Sequence, residues 1–380
     1  MIYLDHASTS FPKPPACISG ITNYLQNIGV TPHRGSSPLE AKAQAVVAET
    51  QSQLAQLLGT DQKDKIVLTP HATFSLNLII KGYLKSGDHA IVCSWNHNSV
   101  LRPLHYLSQE QNVTYSVFDT DLDGSISLLK LQALVTEKTK LMIFNHASNV
   151  TGHVLDLASL AAFRKTSQIP ILLDATQAIG TVGANYSDFD FVVGTGHKAL
   201  LGPTGVGFFF AQRPEEISPL LHGGTGSSSF SLYQPTESPE RFNTGTPNMT
   251  SIAGLNGSLS YLLNSPRKHV PDFRSFVLRK LLEFSEVEVL SQESPFGSVP
   301  IVAFHIKNAL PHEISRRLSD QGIATRSGLH CAPLLHKRLD NINGCVRISF
   351  GLSNTEEEVL EFIKTLKDIL SHKNYTRIAG

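Results

Sequence analysis

The sequence predicts an α/β fold: a large unit on a mostly parallel sheet with helices on both faces, followed by a smaller C-terminal α+β unit. Three observations carry this. Between about residues 40 and 210, strand-like apolar runs alternate with segments of helical periodicity. Most of the strand-like runs are apolar on consecutive residues, as in a sheet buried on both faces. Beyond the Gly/Ser/Thr/Pro-rich stretch 222–250 the order changes, with two strands adjacent between helices.

In chain order, residues 40–59 read as a helix with apolar Val47, Leu54 and Leu58. Gly59 closes it, since glycine takes the left-handed conformation there without a Cβ penalty. A buried strand follows at 65–69. Leu76, Ile79, Ile80 and Tyr83 then recur at the i, i+3, i+4, i+7 spacing of a helix. Further strands fall at 89–94, 113–118, 140–147, 170–175, 190–195 and 206–211, with a helix opening near Asp156. Residues 222–250 read as a long loop of the kind that is functional or disordered. A helix near 273–284 leads to strands near 286–291 and 299–306, a helix near 312–321 and a strand at 345–350. The last helix carries Val359, Phe362, Ile363, Leu366 and Ile369 on one stripe, with Ser353 and Glu356 as its capping box.

Of the 380 residues, 41% are apolar and 17% charged, enough to bury a large core. The 32 basic side chains balance 32 acidic ones, which excludes nucleic acid as the default partner because its binders carry a basic excess. No apolar run approaches the roughly 18 residues of a membrane span, and MIYLDHASTS shows no leader pattern. Four cysteines are too few for a disulfide framework. A cytoplasmic protein with reduced thiols is expected.

The most informative string is FVVGTGHKALLGPTGVG (191–207), which places Lys198 in a Gly-rich turn directly after a strand. It is not a P-loop, which needs Gly-Lys-Ser/Thr after four spacer residues. A lysine in a tight buried turn is poorly solvated, so its pKa falls and its amine can form a Schiff base with an aldehyde cofactor. Asp174, in PILLDATQAIG (170–180), ends another strand, with Gln177 one turn on. Beside a pyridine ring such a carboxylate holds the ring nitrogen protonated. TPHATFSLN (69–77) turns from strand into helix, so its amides can cradle a phosphate. His97 follows a third strand, where it can stack on a ring. Taken singly, each has an ordinary reading: a solvated turn lysine, a capping carboxylate, a generic βα turn, a packed histidine.

In ATRSGLHCAP (324–333), Cys331 lies in a polar loop beside His330 and near Arg326, the setting of a nucleophile rather than a structural cysteine. The competing reading is a zinc site of His330, Cys331, His336 and Cys345. Their spacing matches no common zinc pattern, and no metal is expected. Arg347, in GCVRISF, can grip a carboxylate with its fork or serve as a surface strand arginine.

Together YLDHAST (3–9), SNVTG (148–152), LDATQA (173–178), GHK with GPTGVG, RFNTGTPN (241–248) and RSGLHCAP resemble the class V aminotransferase-like enzymes that use pyridoxal 5'-phosphate (PLP). Within them the match is to the cysteine desulfurase and selenocysteine lyase family, over nearly the whole chain. The resemblance implies the PLP-dependent transferase fold type I and a homodimer with its sites at the subunit boundary. It implies an N-terminal arm (1–15) packed on the C-terminal domain, a large PLP-binding domain (16–255) and a small domain (256–380) carrying the Cys331 loop.

The same resemblance assigns roles. Lys198 is joined to the cofactor and later moves the α-proton, Asp174 pairs with the pyridine nitrogen, His97 stacks on the ring, and Gln177 contacts O3′ or the phosphate side. Ala72, Thr73, Thr195 and His197 match phosphate-binding positions, and Thr246 the one supplied by the partner subunit. Asn149, also at the cofactor, and Arg347 match the residues that hold the substrate's amino-acid portion, and Arg326 is grouped with them. His33 and Arg34 match a pair reaching the neighbouring site. Cys331 matches the nucleophile that takes sulfur as a persulfide. The implied reaction turns L-cysteine into L-alanine. The alternatives are a selenocysteine lyase acting on L-selenocysteine or another PLP-dependent C–S lyase or epimerase. The Cys331 loop looks like that of the second desulfurase group, whose members often need a sulfur-acceptor protein. Three positions depart from the pattern: His6 for Asn, Asn96 for Glu, and Leu329 for His.

Overall fold

Runs of Val, Ile, Leu and Phe become strands here because both of their faces are covered. In the computed structural model, which describes residues 1–32, 35, 37–226, 229–264 and 270–371, the chain opens with β1 (Ile2–Tyr3), α1 (Pro15–Asn27) and α2 (Pro38–Leu58). There follow β2 (Ile66–Thr69), α3 (Ala72–Tyr83), β3 (His89–Cys93), α4 (Asn98–Glu110), β4 (Thr114–Phe118) and α5 (Leu128–Ala133). Next come β5 (Thr139–Asn145), α6 (Leu157–Ser167), β6 (Ile171–Asp174), β7 (Phe191–Thr195) and β8 (Gly207–Ala211). The sheet runs β2-β8-β7-β6-β5-β3-β4, and only β8 is antiparallel to its neighbours. In β3, Ile91 and Cys93 enter one core while Ala90 and Val92 enter the other. The mostly parallel α/β expectation holds.

Local signals set the helix ends. α2 starts on a capping box between Ser37 and Glu40 and stops at Gly59, which is left-handed at φ 69°. The stretch 222–250 holds, among its described residues, one short 3-10 turn at Glu240–Phe242 before α7 (Met249–Asn264) begins. The chain continues through α8 (Phe273–Leu281), β9 (Val287–Val289), β10 (Ile301–Ile306), α9 (Pro311–Asp320), β11 (Ile323–Ala324) and β12 (Arg326–Gly328). It ends with α10 (Pro333–Arg338), β13 (Cys345–Ser349) and α11 (Glu356–Ser371). The second sheet, β12-β13-β10-β9, is antiparallel and packs its own core of residues such as Val277, Phe304, Ile348 and Phe362.

The N-terminus packs with the C-terminal part: β1 and β11 form a separate parallel pair, Ile2 opposite Ile323, and Leu4 enters the second core. One cap is displaced from its expected place. The box of α11 is Thr355 with Glu358, whose reciprocal contacts are both 3.3 Å, and not Ser353 with Glu356. The Ser353 hydroxyl instead donates to the Phe11 carbonyl at 3.2 Å, tying α11's approach to the N-terminal arm. No helix among the described residues is long and apolar enough to cross a membrane.

β8 passes close to the entry of α3. A Cβ on Gly207 would lie 2.7 Å from the His71 carbonyl carbon and 2.9 Å from the Ala72 nitrogen. Gly207→Val is expected to destabilise the fold by about 2 kcal/mol, the scale of overpacking, seen as a lower urea midpoint. An unchanged midpoint contradicts this close approach.

Candidate active site

Five parallel strands end on one edge of the large sheet, and the turns that follow them supply the site, as expected where strand carboxyl ends open a crevice. β2 leads to Ala72 and Thr73, β3 to His97, β5 to Asn145 and Asn149, β6 to Asp174 and Gln177, and β7 to Thr195, His197 and Lys198. These side chains line one pocket of about 110 Å³. Nine residues singled out in the sequence therefore share a cavity although they span more than 120 positions. A larger space of about 530 Å³ lies against Lys198 and Gln177 as well, but Asp174, His97 and Thr195 border only the smaller one.

Burial, reinforced by Arg347, lowers the Lys198 amine from 10.5 to about 8, while Asp174 acts in the opposite sense. Asp174 is buried, and its Oδ1 accepts the Thr176 amide at 3.1 Å. His97 caps α4: its Nδ1 accepts the Ser99 amide at 3.0 Å. Burial pushes its pKa down, and an Nδ1 that accepts an amide leaves the ring proton on Nε2. Ser99 Oγ also reaches Thr73 Oγ1 at 2.8 Å, linking the turns after β2 and β3. Burial pushes His197 down to about 4.

Thr195 Oγ1, Thr176 Oγ1 and His197 Nδ1 are buried at this pocket with no hydrogen-bond partner among the described residues. Buried polar atoms cost free energy when unmatched, so the cluster calls for a polar ligand. The start of α3 borders the same pocket through Ala72 and Thr73, and a helix N-terminus favours an anion.

The N-terminal arm runs beneath these groups. The His197 carbonyl accepts from Thr9 Oγ1 at 3.0 Å, Ser10 N at 2.9 Å, Ser10 Oγ at 3.2 Å and Lys13 Nζ at 3.0 Å. Gln177 Nε2 donates to the Ala7 carbonyl at 3.1 Å. Arg347 is 2% exposed, so the surface reading fails. Its Nη1 donates to the Asn149 carbonyl at 2.8 Å, and its Nη2 to Asp5 Oδ1 at 3.0 Å and Ser8 Oγ at 2.9 Å. Arg326 is exposed and donates to the same Ser8 hydroxyl at 2.8 Å.

Cys331 is half-buried outside the pocket lining, and its loop is held over the large sheet. The Asn98 amide donates to the Cys331 carbonyl at 2.7 Å, and Asn149 Nδ2 to the His330 carbonyl at 2.7 Å. His330 and Cys331 both take positive φ, 47° and 59°, a region non-glycine residues seldom occupy. His330 does not flank the thiol as a cation. Its ring meets the Cys345 carbonyl at 3.3 Å, and burial holds it well below the ordinary imidazole value. Among the described residues no group of three or more His, Cys, Asp or Glu side chains is arranged to hold a metal ion. Thr246 is exposed and does not border the pocket. His33 and Arg34 lie outside the described residues.

Several contributors escape the sequence reading: Asp5 and Ser8, which sit inside YLDHAST without a role there, and Lys13, Ser99, Thr176 and His71. A hydroxyl two residues after the capping histidine is the local signal for Ser99. Nothing local marks Asp5 as a partner of a residue 342 positions away. Of the three departures, Asn96 has a visible structural role. Its side chain accepts the Cys93 amide at 2.9 Å and donates to Asn145 Oδ1 at 2.5 Å, shaping the turn that presents His97.

A lysine and a carboxylate on neighbouring strand ends, facing one polar pocket in an α/β frame, define a class of cofactor-dependent enzyme fold. The aminotransferase class-V family matches residues 2–362, and the chain belongs to it. It is 28% identical to a probable cysteine desulfurase of Halalkalibacterium halodurans, over 97% of this chain and 92% of that one. It is likewise 28% identical to a cysteine desulfurase of Salmonella agona, over 97% and 93%. The apo structure of a cysteine desulfurase from Thermococcus onnurineus NA1 superposes with a TM-score of 0.90 at 28% identity, covering 98% of this chain and 95% of that one. The Escherichia coli cysteine desulfurase CsdA, in an S-sulfonic acid form, gives 0.87 at 25% identity, covering 97% and 94%.

In protein free of cofactor, Lys198 is expected to titrate near 8, read as the pH midpoint of its modification by an amine reagent. Because folding lowers this pKa from 10.5, the unfolded chain takes up the proton first as pH falls. The group's contribution to stability is therefore full above about 10.5 and declines until about 8. A midpoint near 10.5 contradicts the buried placement.

Proposed function

We propose that the chain is a PLP-dependent cysteine desulfurase, turning L-cysteine into L-alanine and taking the sulfur on Cys331 as a persulfide. One observation carries this reading: a lysine amine lowered to about 8 shares a small pocket with a buried carboxylate and three unmatched buried polar atoms. The donor set fits PLP. Lys198 suits the aldehyde, Asp174 the pyridine nitrogen, the neutral His97 face the ring and Gln177 the O3′ side. Thr195, His197, Ala72 and Thr73 suit the phosphate. The names of the relatives above point the same way.

When bound, PLP supplies an electron sink for negative charge at the substrate's α-carbon. The chain's own residues do the rest. Arg347 and Asn149 orient the amino acid through its carboxylate, with Arg326 at the rim. Lys198 moves the α-proton, and a pKa near 8 lets it both accept and return that proton close to neutral pH. Cys331, fixed through its carbonyl to the amide beside His97, attacks the substrate sulfur as a thiolate. A sulfur–sulfur bond forms as the carbon–sulfur bond breaks. The electron pair passes to carbon, which is protonated as alanine leaves. A sulfur-acceptor protein then unloads Cys331. In a homodimer, Thr246 of one copy serves the other's phosphate position.

Cys331→Ser is expected to lower alanine formation from L-cysteine by about a hundredfold or more, while the visible absorbance of bound PLP stays. Alanine and Cys331 persulfide are assayed together. Wild-type turnover in that variant overturns the covalent step and favours a selenocysteine lyase or another C–S lyase.

A further inference from the structure

A guanidinium can hold a carboxylate two-pronged through only two edges, Nε with Nη2 or Nη1 with Nη2. Both edges use Nη2. In Arg347 the two Nη2 protons go to Asp5 Oδ1 at 3.0 Å and Ser8 Oγ at 2.9 Å, and Nη1 donates to the Asn149 carbonyl at 2.8 Å. Nε is buried and has no partner among the described residues. The Ser8 hydroxyl also donates to Asp5 Oδ1 at 2.8 Å and accepts from Arg326 at 2.8 Å. The fork expected to grip a substrate is thus already filled by a carboxylate of the chain, which reaches it from the arm at the opposite end of the sequence.

We infer that Asp5 is an internal competitor for the substrate's carboxylate at Arg347, a specificity-determining residue that sets how tightly the amino acid binds. The inference rests on the proposed assignment of Arg347 to that carboxylate. Asp5 is the counter-ion of an arginine that is 2% exposed. An incoming carboxylate has to displace it from Nη2, opening the Nε–Nη2 edge, and then sits beside a second negative charge. A ligand without a carboxylate has nothing to exchange and leaves the Asp5 contact closed. Selectivity thus comes from replacing one anion by another, not from an open positive patch that any anion could fill.

The two roles open to Asp5 predict opposite signs. If it only props up Arg347, removing its charge weakens binding. If it competes, Asp5→Asn leaves a buried cation uncompensated in the empty protein, and the ligand carboxylate becomes its sole counter-ion. The test uses 3-mercaptopropionate, a cysteine lacking its amino group, titrated calorimetrically into purified PLP-loaded protein, with melting temperature and the KM for L-cysteine measured alongside. Asp5→Asn is expected to bind 3-mercaptopropionate about tenfold tighter, the scale of one solvent-screened charge contact, to lower KM in the same direction and to melt below wild type. Equal or weaker binding in Asp5→Asn, with binding lost in Arg347→Met, overturns the competition and leaves the Arg347 assignment standing. Undiminished binding in Arg347→Met overturns both.

Discussion

The carbonyl oxygen of His197 accepts hydrogen bonds from two side-chain hydroxyls, one amide and one ammonium of residues 9–13. Four donors on one acceptor fix the peptide plane that leads into Lys198. They also anchor an arm that would otherwise be a solvent-exposed terminus, since termini stay ordered only when tied down. From this anchor the arm reaches the other parts of the site. Ala7 holds Gln177, Ser8 and Asp5 hold Arg347, β1 pairs with β11, and Asp5 bridges to Ser349 at the end of β13 in the second sheet. Lys198, Gln177 and Arg347 are positioned by nine consecutive residues, so their spacing is set before any ligand arrives. Reactions of this kind tolerate small errors in position poorly, which makes that rigidity useful.

The site departs from what stability alone favours. A lysine held near 8, an arginine with an unmatched Nε, and unsatisfied Thr195, Thr176 and His197 atoms each oppose folding. So do consecutive positive φ angles at His330 and Cys331. All of these line the pocket or lie in the loop beside it except Arg347, which contacts the pocket's Asn149 through that residue's carbonyl. Elsewhere the sheet buries alternate residues into two continuous cores. The frame carries the cost, and the departures mark where chemistry belongs.

Much of this was legible in the chain because it is local. Strand runs, the Gly59 stop, the strand-end positions of Asp174 and Lys198, and the βα turn at 69–77 all follow from short-range patterning. α1 and α7 were not legible. Their crossing depends on Gly20, Gly254 and Gly257, where a Cβ would collide with Ala253, with Ile21 and Pro203, and with Ala16. Glycines that permit close helix packing lower helical propensity and read as loop. The α11 cap falls two residues beyond its expected place because Ser353 is drawn to Phe11, a contact across 342 positions. Arg347 stands out in the sequence, but its occupied fork does not, since Asp5 approaches from the opposite terminus. Pairings between distant segments left no mark in local sequence.

The proposed function stands on Lys198 as the residue joined to the cofactor, with Asp174 on the neighbouring strand supporting the ring. Borohydride reduction of PLP-loaded protein, followed by proteolysis and mass spectrometry, locates that joint directly. A single pyridoxyl-phosphate mass addition is expected on Lys198, absent in Lys198→Ala. A label on another lysine, or none in protein that has bound PLP, contradicts it.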